Sequence, residues 1–488
     1  MKTHGIKTNF IFNVIGPLTP LVVALITVPI YVTHIGTARY GVLSITWMLL
    51  GYFGFLDLGL TRASANALAK LGHSSPREAR AKILVTAFSI NLFFGIVGGV
   101  IFYFSGILLI EHLLTLPAEL KPEVDKAFPW ISFLLPLALV VGPAGGALES
   151  RERFLTANLL QVMGGTAVLV LPVISAVFIS PSLSVVIPTA VMSRGLAIVV
   201  FLGFALGEEG PLSPRNFDRT QCRALLSYGG WISMSNIIGP LLASLDQLMI
   251  GSMLGVVAVA HYSVPMSLVV RSQILAVASS RTLFPRISRS TRDEATKISE
   301  KALVTLAYGY GAVCVPAIVL AWPFLELWMG KEFAAISGPI AELLLFGGWT
   351  CGLGMISLAF SEGQGNPDIG AKVHALEIIP FIILLWFLIN EFGLLGAATA
   401  WTIMVTCEAG FLFLATRFRV GLLLQLIPPF GFILAAYVFV FISSPAILNA
   451  LLAAGVLGTG VVISGMIFDP HLREFFMSLR FRLTGRAR

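Results

Sequence analysis

The hexapeptide "NVIGPL" at Asn13–Leu18 returns as "NIIGPL" at Asn236–Leu241, displaced by 223 residues in a chain of 488. Both copies sit in long apolar runs, and the meaning of the repeat depends on what those runs are. Hydrophobic residues make up 57% of the chain and charged residues 12%, with a mean hydropathy of +0.90. An ordinary soluble domain carries roughly 25% charged residues. A helix needs about 20 mostly apolar residues to cross hydrocarbon, and runs of that length alternate with short loops from end to end. They are too long for barrel strands, and only helices or closed barrels satisfy their backbone in lipid. The chain therefore reads as an all-α polytopic membrane protein.

Fourteen spans are expected, at 8–33, 41–64, 83–108, 127–149, 156–180, 182–206, 227–253, 255–283, 302–325, 338–361, 371–391, 394–416, 425–444 and 446–468. The first follows Lys2 and Lys7 and lacks an obvious small-residue cleavage site, so it reads as an uncleaved helix rather than a signal peptide. With both termini cytoplasmic, 26 of the 32 Lys and Arg residues fall in cytoplasmic segments or at helix ends facing them. Arg39, Lys121, Lys126 and Lys331 fall outside, and Arg194 and Arg271 fall mid-span. That asymmetry orients the chain, with both termini cytoplasmic. The net charge of +7 then comes from cytoplasmic loops and the tail "REFFMSLRFRLTGRAR", beside anionic lipid, so the basic balance calls for no nucleic acid. The four cysteines form no disulfide framework and no zinc spacing, and no cofactor motif is present.

The hexapeptide opens span 1 and again span 7. Because six spans intervene, an even number, both copies enter from the same side, which makes the halves parallel repeats. Downstream, Tyr40 in "GTARYG" and Tyr262 in "VAVAHYS" correspond. The expected plan is an N-lobe over 1–222, a C-lobe over 223–420, and appended spans 13 and 14 with the basic tail over 421–488. Pro17 and Pro240 would bend the first helix of each lobe. Gly95 with Gly99, Gly142 with Gly146, and Gly348 with Gly352 have the spacing that lets helices approach closely. The longest external hydrophilic stretch, "EHLLTLPAELKPEVDKAF" at 111–128, and the cytoplasmic stretches at 70–82, 207–223 and 284–301 leave no room for the acid, base or metal site of a membrane glycosyl polymerase or ligase. No Walker lysine loop is present, and the chain does not read as an enzyme.

Three segments carry a family likeness. The stretch "ARYGVLSITWMLLGYFGFLDLGLTRASANALAK" at 38–70 resembles the span 2 signature of the polysaccharide transporter family, the lipid-linked oligosaccharide and O-antigen flippases of the MOP (multidrug/oligosaccharidyl-lipid/polysaccharide) exporter superfamily. "DQLMIGSMLGVVAVAHYSVPMSL" at 246–268 is similar to a second family segment, and "FLELWMGKEF" at 324–333, "GQGNPDIGAK" at 363–372 and "GLLGAATAW" at 393–401 to a third. The resemblance implies two six-helix lobes around a central cavity, plus two helices. It also implies alternating access that moves a polyprenyl-diphosphate-linked sugar unit across the inner membrane for surface polysaccharide synthesis, with assembly proteins as partners.

Charges inside the spans are the candidate site, since an Arg at a helix centre costs roughly 2.5–3.5 kcal/mol on insertion scales. Arg194 in span 6 and Arg271 in span 8 lie one in each lobe at similar depth and could clamp a diphosphate. Arg62 and Arg281, at the cytoplasmic ends of spans 2 and 8, could receive the headgroup or simply anchor the helices. Asp57, Asp246, Glu377 and Glu408 lie in apolar surroundings and are candidates for coupling to H+ or Na+; a partner or a helix cap is the plainer account, more so for Glu342, Glu149 and Glu362 near span ends. His261 reads as packed, and Lys372 with His374 as an interface anchor. With the inside negative, outward movement of negative charge gains about 2.3 kcal/mol per charge per 100 mV, so the potential itself could drive export. The alternatives are a cation antiporter of the related multidrug branch, a membrane enzyme on the same lipid-linked sugar, and a noncatalytic scaffold.

Overall fold

The computed structural model describes residues 22–52, 60–71, 76–112, 116–151, 153–209, 213–223, 225–226, 244–366, 368–443, 446–469 and 472–473. Both copies of the hexapeptide, with Pro17 and Pro240, lie outside them, as does Asp57. Among the described residues the regular structure is helical. The helices are α1 (Val22–Ile35), α2 (Thr37–Tyr52), α3 (Leu60–Leu71), α4 (Arg77–His112), α5 (Lys121–Ser150), α6 (Phe154–Phe178) and α7 (Leu183–Glu209), then α8 (244–253). They continue as α9 (Val256–Ser272), α10 (Ile274–Arg289), α11 (Arg292–Met329), α12 (Lys331–Gly363), α13 (Asp368–Thr416), α14 (Gly421–Ser443) and α15 (Ile447–Phe468).

Nine of these are long and apolar enough to cross a membrane. The 49-residue α13 counts twice, because Gly393 has φ 58 and ψ −133 and breaks the helix there. His374 and Glu408, 34 residues apart, lie 2.8 Å from each other, whereas a straight helix would separate them by about 50 Å. So α13 is a hairpin whose limbs match spans 11 and 12. The described parts of expected spans 1, 2, 7 and 8 fall on α1, α2 with α3, α8, and α9 with α10.

Two glycines shape the connections at the starts of α2 and α9. One residue, Gly36 at φ 83, joins α1 to α2, and Gly255 at φ 86 turns the chain from α8 into α9. Only glycine adopts that left-handed conformation without steric cost.

The chain divides into two compact units, 1–244 with 251–260, and 245–250 with 261–488. In the first, α5 packs against α3, α4 and α7, and α6 packs on α7. Gly95 and Gly99 of α4 face Pro136 and Ser132 of α5 so closely that a Cβ on Gly95 would lie 2.6 Å from the Pro136 Cα. Proline governs this contact in a second way. Pro143 has no N–H to give the carbonyl of Leu139 four residues earlier, and Asn91 Nδ2 of α4 donates to that carbonyl at 2.8 Å. In the second unit α11 is the centre, touching α10, α12, α14 and α15. The same device recurs there: Pro429 frees the Gln425 carbonyl of α14, and the Tyr308 hydroxyl of α11 donates to it at 3.2 Å. Trp349 Nε1 of α12 donates to the Ala307 carbonyl at 3.0 Å. Gly348 and Gly352 face Val269 and Tyr310.

Two expectations need correction. The stretch 284–301 is not a loop, since α10 runs to Arg289 and α11 starts at Arg292 behind a capping box in which Thr291 and Glu294 exchange hydrogen bonds. Reciprocal capping lets a hydrophilic segment continue a membrane helix. Span 8 is not one helix, because the chain turns at Gln273, φ −68 and ψ 0, between α9 and α10. The described residues 213–223 are tied down in turn: the Asp218 N–H donates to Thr86 Oγ1 at 3.0 Å. The Asp218 carboxylate accepts from the Thr220 and Gln221 N–H groups, and these bonds hold it below the usual carboxylate range.

Replacing Asn91 with Leu is expected to cost about 1–3 kcal/mol of stability by leaving the Leu139 carbonyl unpaired. In a Pro143→Ala background the helix regains its own donor, and the cost of Asn91→Leu should shrink below 1 kcal/mol. Thermal unfolding of the four proteins of this cycle in detergent measures the difference; equal costs in both backgrounds would contradict the assignment.

Candidate functional site

A polar seam runs through the second unit, starting from the break in span 8. Ser272, the last residue of α9, shares a hydrogen bond with the Tyr310 hydroxyl at 2.7 Å. Gln273, at the break, is buried; its Nε2 lies 3.5 Å from the Gly348 carbonyl, and its side chain hydrogen-bonds Cys351 on α12. Glu408, on the second limb of α13, is close enough to act on Cys351 electrostatically. From there the seam crosses the hairpin: His374 Nε2 meets Glu408 Oε1 at 2.8 Å, with the two side chains 22% and 20% exposed. One turn beyond His374, Glu377 is buried at 8% exposure, and neither of its carboxylate oxygens has a hydrogen-bond partner among the described residues.

Helical spacing explains the juxtaposition. His374 and Glu377 are three apart and share a face, while Leu376 and Ile379 on the opposite side are 68% and 69% exposed, as lipid-facing residues are. The Gly393 turn sets the register that lays Glu408 against them. A carboxylate buried without a partner is costly, and one beside a histidine–carboxylate pair can take up a proton or small cation. Among the described residues no group of three or more His, Cys, Asp or Glu side chains is arranged to hold a metal ion.

Of the sequence candidates, this seam unites Glu377 and Glu408 and adds His374, which sequence reasoning had placed as an interface anchor. Arg271 is half-buried two residues before the break and is engaged in further interactions. Arg281 is exposed on α10, and Arg62 lies on α3. Asp246 is elsewhere: fully buried, it accepts the Tyr262 hydroxyl at 2.6 Å and the Gln247 N–H at 2.7 Å, and so fastens α8 to α9. His261 is a packed histidine, bonded to Ser337 Oγ at 2.9 Å and stacked on Phe333. Lys372 pairs with Asp368 at the exposed start of α13. Glu342 is buried with one oxygen unpartnered, and Glu362 is exposed. The Glu149 side chain lies outside the described residues.

In the first unit Arg194 stands out. At about 100° per residue it lies in the middle of the α7 sector that carries Ile187, Ala190, Val191, Ile198 and Phe201, all buried. Arg194 is nonetheless exposed, while the lipid-like face of Met192, Leu196 and Val199 lies opposite. Arg194 is therefore a cation with exposed surface on the side of α7 that otherwise packs. Arg39 is accounted for differently, through a bidentate pair with Glu123 at 2.6 and 2.9 Å; Glu123 also accepts the Leu183 N–H that starts α7. Neither Glu123 nor Gln273 was legible from sequence, as single polar residues at helix ends carry no pattern.

The sequence profile described as "Polysaccharide biosynthesis protein" matches residues 6–291, more than half of the chain. The chain belongs to the polysaccharide biosynthesis protein family. A Shigella flexneri protein named "Putative O-antigen transporter" is 27% identical over 409 residues, covering 83% of this chain and 96% of that protein. The fold is that of a lipid II flippase, MurJ, in an inward closed conformation, with a TM-score of 0.73, 14% identity, and coverage of 95% of this chain and 99% of the other. An inward-facing multidrug transporter of the MATE family and MOP superfamily aligns with a TM-score of 0.67 at 15% identity, covering 84% of this chain and 98% of that one. This member of the polysaccharide biosynthesis protein family thus has an all-α membrane-protein fold that it shares with the MurJ and MATE structures.

For this family member, replacing Glu377 with Leu is expected to raise thermal stability by about 1–3 kcal/mol by removing an unpartnered buried carboxyl, while transport falls. A scan of melting temperature beside a transport assay checks both; a destabilised variant would show that Glu377 has a structural partner.

Proposed function

We propose that the protein flips polyprenyl-diphosphate-linked oligosaccharide repeat units from the inner to the outer leaflet of the bacterial inner membrane, by alternating access, for O-antigen or exopolysaccharide assembly. The observation that carries this reading is Arg194, a cation exposed on the packed face of an otherwise apolar membrane helix. An anionic diphosphate and a hydroxyl-rich glycan cannot cross hydrocarbon unaided, and an arginine with exposed surface on the packed side of a membrane helix offers donors to phosphate oxygens. Arg271 is the proposed counterpart in the second repeat, with Arg62 and Arg281 meeting the headgroup at the cytoplasmic rim. Functionally, 1–222 and 223–420 act as the two lobes and 421–488 as an appendage, with both termini cytoplasmic. The Shigella relative's name supports a polysaccharide precursor as cargo.

Energy comes from the membrane potential acting on the moving diphosphate, about 2.3 kcal/mol per charge per 100 mV, with H+ or Na+ exchanged inward through Glu377 and the His374–Glu408 pair. Asp57 and Asp246 remain secondary coupling candidates, Asp246 because its oxygens are already occupied. The likeness to a multidrug transporter favours cation antiport as the second reading. Polysaccharide assembly proteins are the expected partners downstream.

In cells lacking this chain, the lipid-linked repeat unit should accumulate on the inner leaflet. Wild type should restore export, and Arg194→Gln or Arg271→Gln should reduce it at least tenfold at equal protein levels. Normal leaflet distribution together with altered drug efflux would select the antiporter.

A further inference from the structure

An open pocket of about 640 Å³ lies where the first turns of α11, the connection between α13 and α14, and the end of α15 meet. Its cations are Lys297, Lys301 and Arg419, and its acids are Glu300 and Asp469. The two kinds are not equivalent. Glu300 is buried and accepts the Arg419 backbone N–H at 2.8 Å, and Asp469 is buried and accepts the Thr305 hydroxyl at 2.5 Å. The acids are thus spent holding the pocket's walls together. All three cations are exposed. The Arg419 guanidinium, 74% exposed, reaches Glu300 only at 3.9 Å, and neither lysine is in an ion pair among the described residues. The turn that presents Arg419 contains Arg417 at φ 58, a left-handed backbone that a non-glycine residue adopts at a cost. Beside the cations the surface is greasy: Val420, Leu424, Ile467 and Phe468 are 52% to 75% exposed.

We propose that this pocket binds the phosphate headgroup of an anionic bilayer phospholipid, with the acyl chains lying along the exposed faces of α14 and α15. A cationic basin set against an apolar wall at a membrane helix end matches a headgroup attached to a chain, and free phosphate would use the cations but not the wall. The site is separate from Arg194 and from the α13 seam, so its occupancy is independent of what the transporter carries.

The test titrates purified full-length protein with phosphatidylglycerol, phosphatidylcholine and inorganic phosphate, reading adducts by native mass spectrometry. Phosphatidylglycerol should be retained preferentially, and each of Lys297→Gln, Lys301→Gln and Arg419→Gln should weaken it about fivefold. The Arg419→Gln variant keeps the backbone N–H that Glu300 uses, so it should fold, and unfolding temperature checks this. Equal retention of phosphatidylcholine, or undiminished phosphatidylglycerol binding in the folded single variants, overturns the site. Phosphate binding as tight as the lipid's overturns the lipid assignment in favour of a soluble phosphate.

Discussion

A backbone carbonyl inside a bilayer has no water to turn to, and the rest of this structure depends on how that demand is met. Helices meet it by construction. Proline breaks the arrangement at Pro143 and Pro429, and in each case a polar side chain from the neighbouring helix takes up the freed carbonyl, Asn91 for Leu139 and Tyr308 for Gln425. These two bonds do more than repair a defect. They fix the register of α4 on α5 and of α11 on α14, so the defect becomes a point of specific contact in a setting where apolar surface alone specifies little.

Against that background the unsatisfied groups are informative. Arg39 and Glu123 pair, Asp246 is bonded to Tyr262, and His261 is bonded to Ser337. Among the described residues neither oxygen of buried Glu377 has a partner, and Arg194 is exposed on a packed face. A protein shaped only for stability would have removed both. Their retention is what the proposed function calls for, with Arg194 as the group that would hold an anion and Glu377 as the group that would exchange a proton or cation, each at an energetic cost borne by the packing around it.

The broken helices belong to the same logic. Gln273 interrupts span 8 two residues after Arg271, and its amide turns into the seam that ends at Glu377. Gly393 folds α13 back on itself, and without that fold His374 and Glu408 would never meet. Backbone irregularity at membrane depth is tolerated where it is buried in protein, and here it coincides with the side chains that carry charge.

Composition and apolar run length by themselves determined the all-α membrane class, because insertion into hydrocarbon depends on summed hydropathy. The mid-span charges were also visible, as rare residues in apolar surroundings. Which of them share a site was decided only in three dimensions. In helices that are apolar all round, periodicity does not report which face a residue occupies, so the exposure of Arg194 followed only from the packing of α7 on α5 and α6, and the occupied state of Asp246 and the meeting of His374, Glu377 and Glu408 had to wait for the turns at Gly255 and Gly393 to set their helices against one another.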